Sequence, residues 1–224
     1  MIRLCMNSDE PINLIRFLSH FSANPFNIFN KYTKKRSILH IAASEDEIGV
    51  VRSLITIEPK LISLLDGDGY PPLFLSILHK NYHSTRILLH NGADPSIGGG
   101  MLGSCLHLTI VQREINLLSE IIGRGVDING RDEGGNTGLH LLFATFTNNV
   151  EKSKLIAKLI LENGGDSTIE NKEGWTPLHL AIKNEQNDCI EWILKHNKMH
   201  MNERIKSIDL NRPSGIILFY KISE

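Results

Sequence analysis

Cysteine is scarce: the chain has three, Cys5, Cys105 and Cys189, odd in number and far apart. They form no disulfide framework, and no pair has the short spacing of zinc ligands. Reduced thiols in a cytoplasmic or nuclear protein are the expectation. Long apolar runs are also missing. None approaches the ~20 residues needed to span a bilayer, and the longest late run is only Ile216 to Tyr220. Met1 to Asp9 has no apolar centre of the kind a signal peptide needs. The charge balance is nearly even, with a formal net charge of -1, and 41% of residues are hydrophobic. Disorder and a polyelectrolyte role are therefore not expected. Phosphate loops are lacking as well. Gly98-Gly99-Gly100 is followed by neither G-x-x-x-x-G-K-[ST] nor G-x-G-x-x-G, and reads as a mobile turn. No local motif supports a Ser-His-Asp triad, so no catalytic residue, cofactor or metal site is expected.

What the chain does contain is a repeated helix start. In Gly174-Trp175-Thr176-Pro177-Leu178-His179 a glycine permits a left-handed turn, a threonine can cap, and a proline takes the first helical position. Related segments open at Ser37, Pro71, Ser104 and Thr137, so that successive starts lie 34, 33, 33 and 39 residues apart. A period in this range with T-P-L-H at its head resembles the ankyrin repeat. The resemblance covers roughly residues 11–215. It implies an all-α fold: an ankyrin-repeat solenoid of stacked antiparallel helix pairs with β-hairpin-like connecting loops, about five repeats plus partial terminal repeats. Each pair would bury its apolar faces against both neighbours, so no unit is stable alone.

In order, the chain reads as a single array over residues 1–224. A degenerate N-terminal half-repeat (11–29) precedes repeats over 31–63, 66–96, 99–130, 132–169 and 171–197, and an incomplete repeat occupies 208–224. In the first repeat Val50, Val51, Leu54 and Ile55 fall on one side of the second helix, and Glu58-Pro59-Lys60 replaces the usual terminal glycine. In the second, Asn91-Gly92 supplies that terminator, while Pro71 cannot cap as threonine does and Phe74 replaces histidine. The third has a weak, glycine-rich head. The fourth carries six extra residues within Phe146 to Leu155, expected to lengthen the connection between its helices. Arg212-Pro213-Ser214-Gly215 looks like the turn opening a sixth repeat, which reads either as a fragment of a longer protein or as a terminus decayed into a cap.

His40, His107, His140 and His179 recur at the fourth motif position. Their spacing sets them on successive units rather than around one metal. In the resembling family this histidine bonds the motif threonine and neighbouring backbone. Trp192 sits beside Ile193-Leu194 on a second helix, where packing explains it. Trp175, one residue before a cap, is either an exposed binding anchor or a cover lying across the neighbouring hairpin. Lys31, Lys34, Lys35 and Arg36 make the first tip basic. Asp66, Asp68, Asp132, Glu133, Glu170 and Glu173 make the later tips acidic.

The resemblance implies a protein–protein interaction scaffold or adaptor, a cytoplasmic or nuclear monomer that binds another protein through its concave surface and hairpin tips. By analogy with the family, the contact positions are Lys34, Arg36, Asp68, Tyr70, Leu78, His79, Val111, Gln112, Glu133, Asn136, Thr145, Lys172, Glu173, Trp175, Lys183 and Asn184. The alternative is a regulatory ankyrin-repeat portion of a larger enzyme or channel. Membrane insertion is not expected, and the acidic tips do not provide the continuous basic face a nucleic-acid binder needs.

Overall fold

The computed structural model describes residues 36–98, 103–145, 150–184, 186, 189 and 190. Expectations for the half-repeat at 11–29, the basic residues 31–35, the glycine-rich head at 99–102, Trp192 and the segment 208–224 lie outside the described residues. The chain divides into two compact units, Met1–Leu108 and Thr109–Glu224. Among the described residues the regular elements are all helical.

In the first unit, α1 (Ile38–Ser44) and α2 (Ile48–Ile57) form one helix pair, and α3 (Pro72–Leu78) and α4 (Tyr82–His90) the next. At seven to ten residues these helices are too short to persist alone in water, so packing must hold them. Ile38, Leu39, Ala42 and Ala43 face inward from α1, and all four expected α2 residues, Val50, Val51, Leu54 and Ile55, are buried. Opposite them lie Leu73, Phe74, Leu75 and Ile77 of α3 and Ile87, Leu88 and Leu89 of α4. First helices pack together (α1 on α3), as do second helices (α2 on α4), and each pair also closes on itself. Each fully buried large aliphatic side chain contributes roughly 1.5–3 kcal/mol.

Helix α4 ends as the sequence suggests. Gly92 has φ +88°, its N–H donates to Leu89 O at 3.2 Å, and the Ala93 N–H donates to Leu88 O at 3.0 Å. Two otherwise orphaned carbonyls are thereby satisfied. Helix α2 has no such glycine. There Pro59 opens a 3-10 turn, Pro59–Ser63, whose Leu61 is buried.

Helix α5 (Cys105–Gln112) contains the division between the units. The second unit holds α6 (Ile115–Gly123), α7 (Gly138–Ala144), α8 (Val150–Glu162) and α9 (Pro177–Lys183). Here α7 packs on α9 and on α8, and α6 packs on α8. Leu117, Leu118, Ile121, Leu139, Leu142, Phe143, Ile156, Ala157, Ile160, Leu178, Ala181 and Ile182 form the core. The insertion of the fourth repeat goes partly into helix rather than connection. Helix α8 has 13 residues against 10, 9 and 9 for α2, α4 and α6. Its added sequence, Val150-Glu151-Lys152-Ser153-Lys154, is rich in helix formers and pairs Lys154 Nζ with Glu151 Oε1 at 3.2 Å.

Candidate functional site

The turns before the first helices are closed by a side chain at their first position. The Asp66 N–H donates to Tyr70 O at 2.9 Å, while Asp66 Oδ1 accepts from the N–H groups of Asp68 and Tyr70 at 2.9 and 3.0 Å. Asp132 repeats this with Asn136, its N–H donating at 2.9 Å and its Oδ1 accepting at 2.8 Å. Asn171 repeats it with Trp175, and its Oδ1 accepts from Glu173 and Trp175, both at 3.0 Å. Gly69, Gly135 and Gly174 reverse the chain at φ +83°, +78° and +79°, a region cheap only for glycine. These first residues are occupied by the turn itself. The Asp66 side chain is 0% exposed and also receives Arg36 Nε at 3.3 Å. Asp66 and Arg36 therefore neutralise one another instead of presenting opposite charges to a partner.

In the second unit adjacent turns are also tied together. The Lys172 N–H donates to Gly134 O at 3.0 Å, Asn171 Nδ2 to Asn136 Oδ1 at 2.9 Å, and Arg131 Nη2 to Glu170 O at 2.7 Å. The tip backbone is thus fixed before any partner arrives.

Of the expected contact residues, Asp68, His79, Val111, Glu133, Lys172, Glu173 and Lys183 are exposed. Arg36, Leu78, Gln112, Asn136, Thr145, Trp175 and Asn184 are half-buried, and Lys34 lies outside the described residues. Tyr70 is a correction: only 7% exposed, it stacks on Phe74 with ring centroids 4.0 Å apart and belongs to the core. Asn184 Nδ2 reaches back to Phe143 O at 2.7 Å, covering a carbonyl at the end of α7. Trp175 is half-buried, with contacts to two residues of the helix that follows it. Its ring stands edge-on to His179 at 6.1 Å with Lys183 Nζ 5.0 Å above it, so it lies along its own helix.

One set of connecting residues escaped the sequence reading. Asp46, Lys80 and Arg113 take φ +57°, +59° and +58° between the first and second helices. Asp46 Oδ1 accepts from the Ser84 N–H and hydroxyl at 3.0 and 2.7 Å. Arg113 Nη2 donates to Thr145 O and Oγ1 at 3.2 and 3.1 Å. Their spacing in sequence matches the repeat, but no glycine or asparagine marked the position.

The histidines close the caps. His40 Nδ1 accepts the Ser37 N–H at 3.1 Å, His107 the Ser104 N–H at 3.0 Å, His140 the Thr137 N–H at 3.0 Å and His179 the Thr176 N–H at 3.0 Å. The cap hydroxyls lie 2.7–2.9 Å from the same nitrogens. Because Nδ1 accepts, the neutral ring carries its proton on Nε2. That proton is donated to Tyr70 O from His40 and to Trp175 O from His140, both at 2.9 Å. Burial lowers the pKa of His40 and His140, a shift opposed by these carbonyls, and burial likewise lowers that of His179. Neutral rings at Nδ1 and Nε2 act as struts.

The ankyrin repeats (3 copies) family model matches residues 2–98 and 106–205. The chain is 28% identical over 182 residues to transient receptor potential cation channel subfamily A member 1 of Homo sapiens, covering 77% of this chain and 16% of that protein. It is 29% identical over 181 residues to NAD-dependent deacetylase sir2B of Dictyostelium discoideum, covering 77% of this chain and 21% of that one. It is 23% identical over 154 residues to nuclear factor NF-kappa-B p105 subunit of Gallus gallus, covering 65% and 15% respectively. The chain thus spans about a fifth or less of these relatives' lengths. The capping histidines, the turns closed by aspartate or asparagine, the paired helices and the match over most of the sequence agree: this chain belongs to the ankyrin repeat family.

Proposed function

We propose that the chain is a non-catalytic scaffold that binds another protein, as a monomer, through its turn tips and first-helix ends. One observation carries the reading. In the second unit, backbone and side-chain bonds at Gly134, Asn136, Asn171 and Lys172 hold the tips rigid, while Glu133, Lys172 and Glu173 remain exposed. Rigid presentation lowers the ordering cost of association. Ankyrin repeats are generally a non-catalytic interaction fold, and the exposed acids favour a partner with basic groups. Asp68 and His79 in the first unit, and Val111 and Lys183 in the second, extend the available contact positions.

A second reading has its own support, since the relatives include a cation channel subfamily member and a deacetylase far longer than the matched region. The array would then be the regulatory part of a larger enzyme or channel, using the same tips toward its own chain or a partner.

The test pairs capture of binding proteins on the intact chain with capture on a Glu133→Lys, Glu173→Lys variant. A genuine tip partner binds the variant with slower association and a flatter salt dependence. Equal association rates at low salt for both would move the site away from these tips.

A further inference from the structure

Six arginines stand among the described residues, and four of them are engaged within the fold. Arg36 pairs with Asp66, Arg113 donates to Thr145, Arg124 pairs with Glu120, and Arg131 donates to the Glu170 carbonyl. Arg52 and Arg86 differ. Among the described residues neither guanidinium has an ion-pair or hydrogen-bond partner, and both side chains are exposed. A guanidinium keeps its charge and offers five donors in a fixed fork.

The two are also in register. They lie 34 residues apart, the separation of the cap positions Ser37 and Pro71, so they hold equivalent places on α2 and α4. These helices pack side by side. Each arginine is the middle of a row spaced by four: Ile48, Arg52 and Thr56 on α2, and Tyr82, Arg86 and His90 on α4. Residues so spaced share one helix face, and every member of both rows is exposed. Packed helix axes stand roughly 8–10 Å apart, which sets the distance between the rows. Apolar side chains open both, with Ile48 36% and Tyr82 41% exposed.

Neither helix contains an acid. Glu47 and Glu58 take the cap positions of α2, and Asp46 is held by the Ser84 hydroxyl and paired with His83. Helix α8 of the second unit shows the ordinary solvated alternative. There Lys154 and Lys158 are paired with Glu151 and Glu162 of the same helix.

We propose that this joined face of α2 and α4 binds an acidic polypeptide segment. Its carboxylates meet Arg52 and Arg86, and an apolar side chain of the segment rests on Ile48 and Tyr82. Guanidinium forks bind carboxylates bidentately, and two of them in register select paired acids. On an extended segment, acids two residues apart point the same way and stand ~7 Å apart, within reach of two long arginines. Arginine and tyrosine are also enriched where interfaces concentrate their binding energy. The surface uses none of the turn tips, so it is a second interaction site on the chain.

The experiment selects peptides from a random phage-displayed library on the immobilised full chain, and the strongest is titrated by fluorescence anisotropy. The selected peptides should carry paired acids beside an aliphatic or aromatic residue. Arg52→Ala and Arg86→Ala should each weaken binding about tenfold. The tip variant Glu133→Lys, Glu173→Lys should stay within about twofold of the parent at physiological salt, which separates this site from the tips. An Arg52→Glu, Arg86→Glu chain should lose the peptide and bind its counterpart with lysines in place of the acids, a gain that misfolding cannot produce. Absence of an acidic consensus, or an acidic peptide indifferent to both arginine changes, overturns the proposal. Arginine-dependent binding to vesicles containing phosphatidylserine, with no acidic peptide selected, also overturns it and assigns the face to a membrane surface.

Discussion

Lys80 and Arg113 occupy equivalent left-handed positions, yet they should respond oppositely to the same substitution. A non-glycine residue at φ near +60° is strained, because its Cβ crowds the neighbouring carbonyl. The Lys80 side chain is exposed, and its backbone bonds to Ile77 and Tyr82 survive in glycine, so Lys80→Gly should stabilise the protein by about 0.5–1 kcal/mol in urea unfolding. Arg113→Gly relieves the same strain but removes two donated bonds at Thr145. It should destabilise by about 1 kcal/mol, as a lost charge-assisted bond outweighs the relief. His140 permits a similar separation of roles. Glutamine can keep the reciprocal cap with Thr137 but cannot extend to the Trp175 carbonyl. His140→Gln should cost about 1–2 kcal/mol, with the loss concentrated in amide protection around residues 171–176.

At the scale of the helix, the start of α7 shows how tightly elements meet. Gly138 takes the first helical position, where proline stands in α9, and an added Cβ would overlap Ile110 Cδ1. Gly138→Ala improves helix propensity by less than the overlap costs, so it should destabilise by about 1–3 kcal/mol. Ile110→Val removes the overlapping methyl group and should recover much of that loss in the double variant. If the two changes simply add, the close approach is not the cause. One residue further on, Leu139 is 2% exposed between α7 and its neighbours. Leu139→Ala should cost ~2–5 kcal/mol by leaving a cavity.

The molecule as a whole should lose stability on mild acidification, through the same struts. Burial holds His40, His140 and His179 below the ordinary value of 6.5, so below that pH the unfolded chain binds more protons than the folded one. Their contribution is complete well above 6.5 and is lost as pH falls through 6.5 toward the lowered folded values. The urea midpoint should therefore drop between about pH 7.5 and about pH 5.5. A His40→Gln, His140→Gln chain should be weaker at the upper pH but show a shallower drop. An equally steep drop in that variant would assign the acid sensitivity to the carboxylates of the turns.

The sequence by itself determined the period, the helix starts and the apolar faces, because each signal lies within one repeat. A cap, a first-position proline, a terminal glycine such as Gly92 and the spacing of Val50, Val51, Leu54 and Ile55 act over one or two helical turns. Tertiary structure decided what each repeated position is for. Tyr70 and Trp175 occupy the same place in the motif, but one is buried against Phe74 and the other is half-buried beside His179 and Lys183. Asp66 and Glu133 are both acids of the turns, but the first is consumed by its own backbone and Arg36 while the second faces solvent. The insertion near residue 150 lengthened α8 because its residues favour helix and could extend a face already packed. Burial and pairing depend on what the neighbouring repeat supplies, about 33 residues away in sequence, and no local pattern encodes that distance.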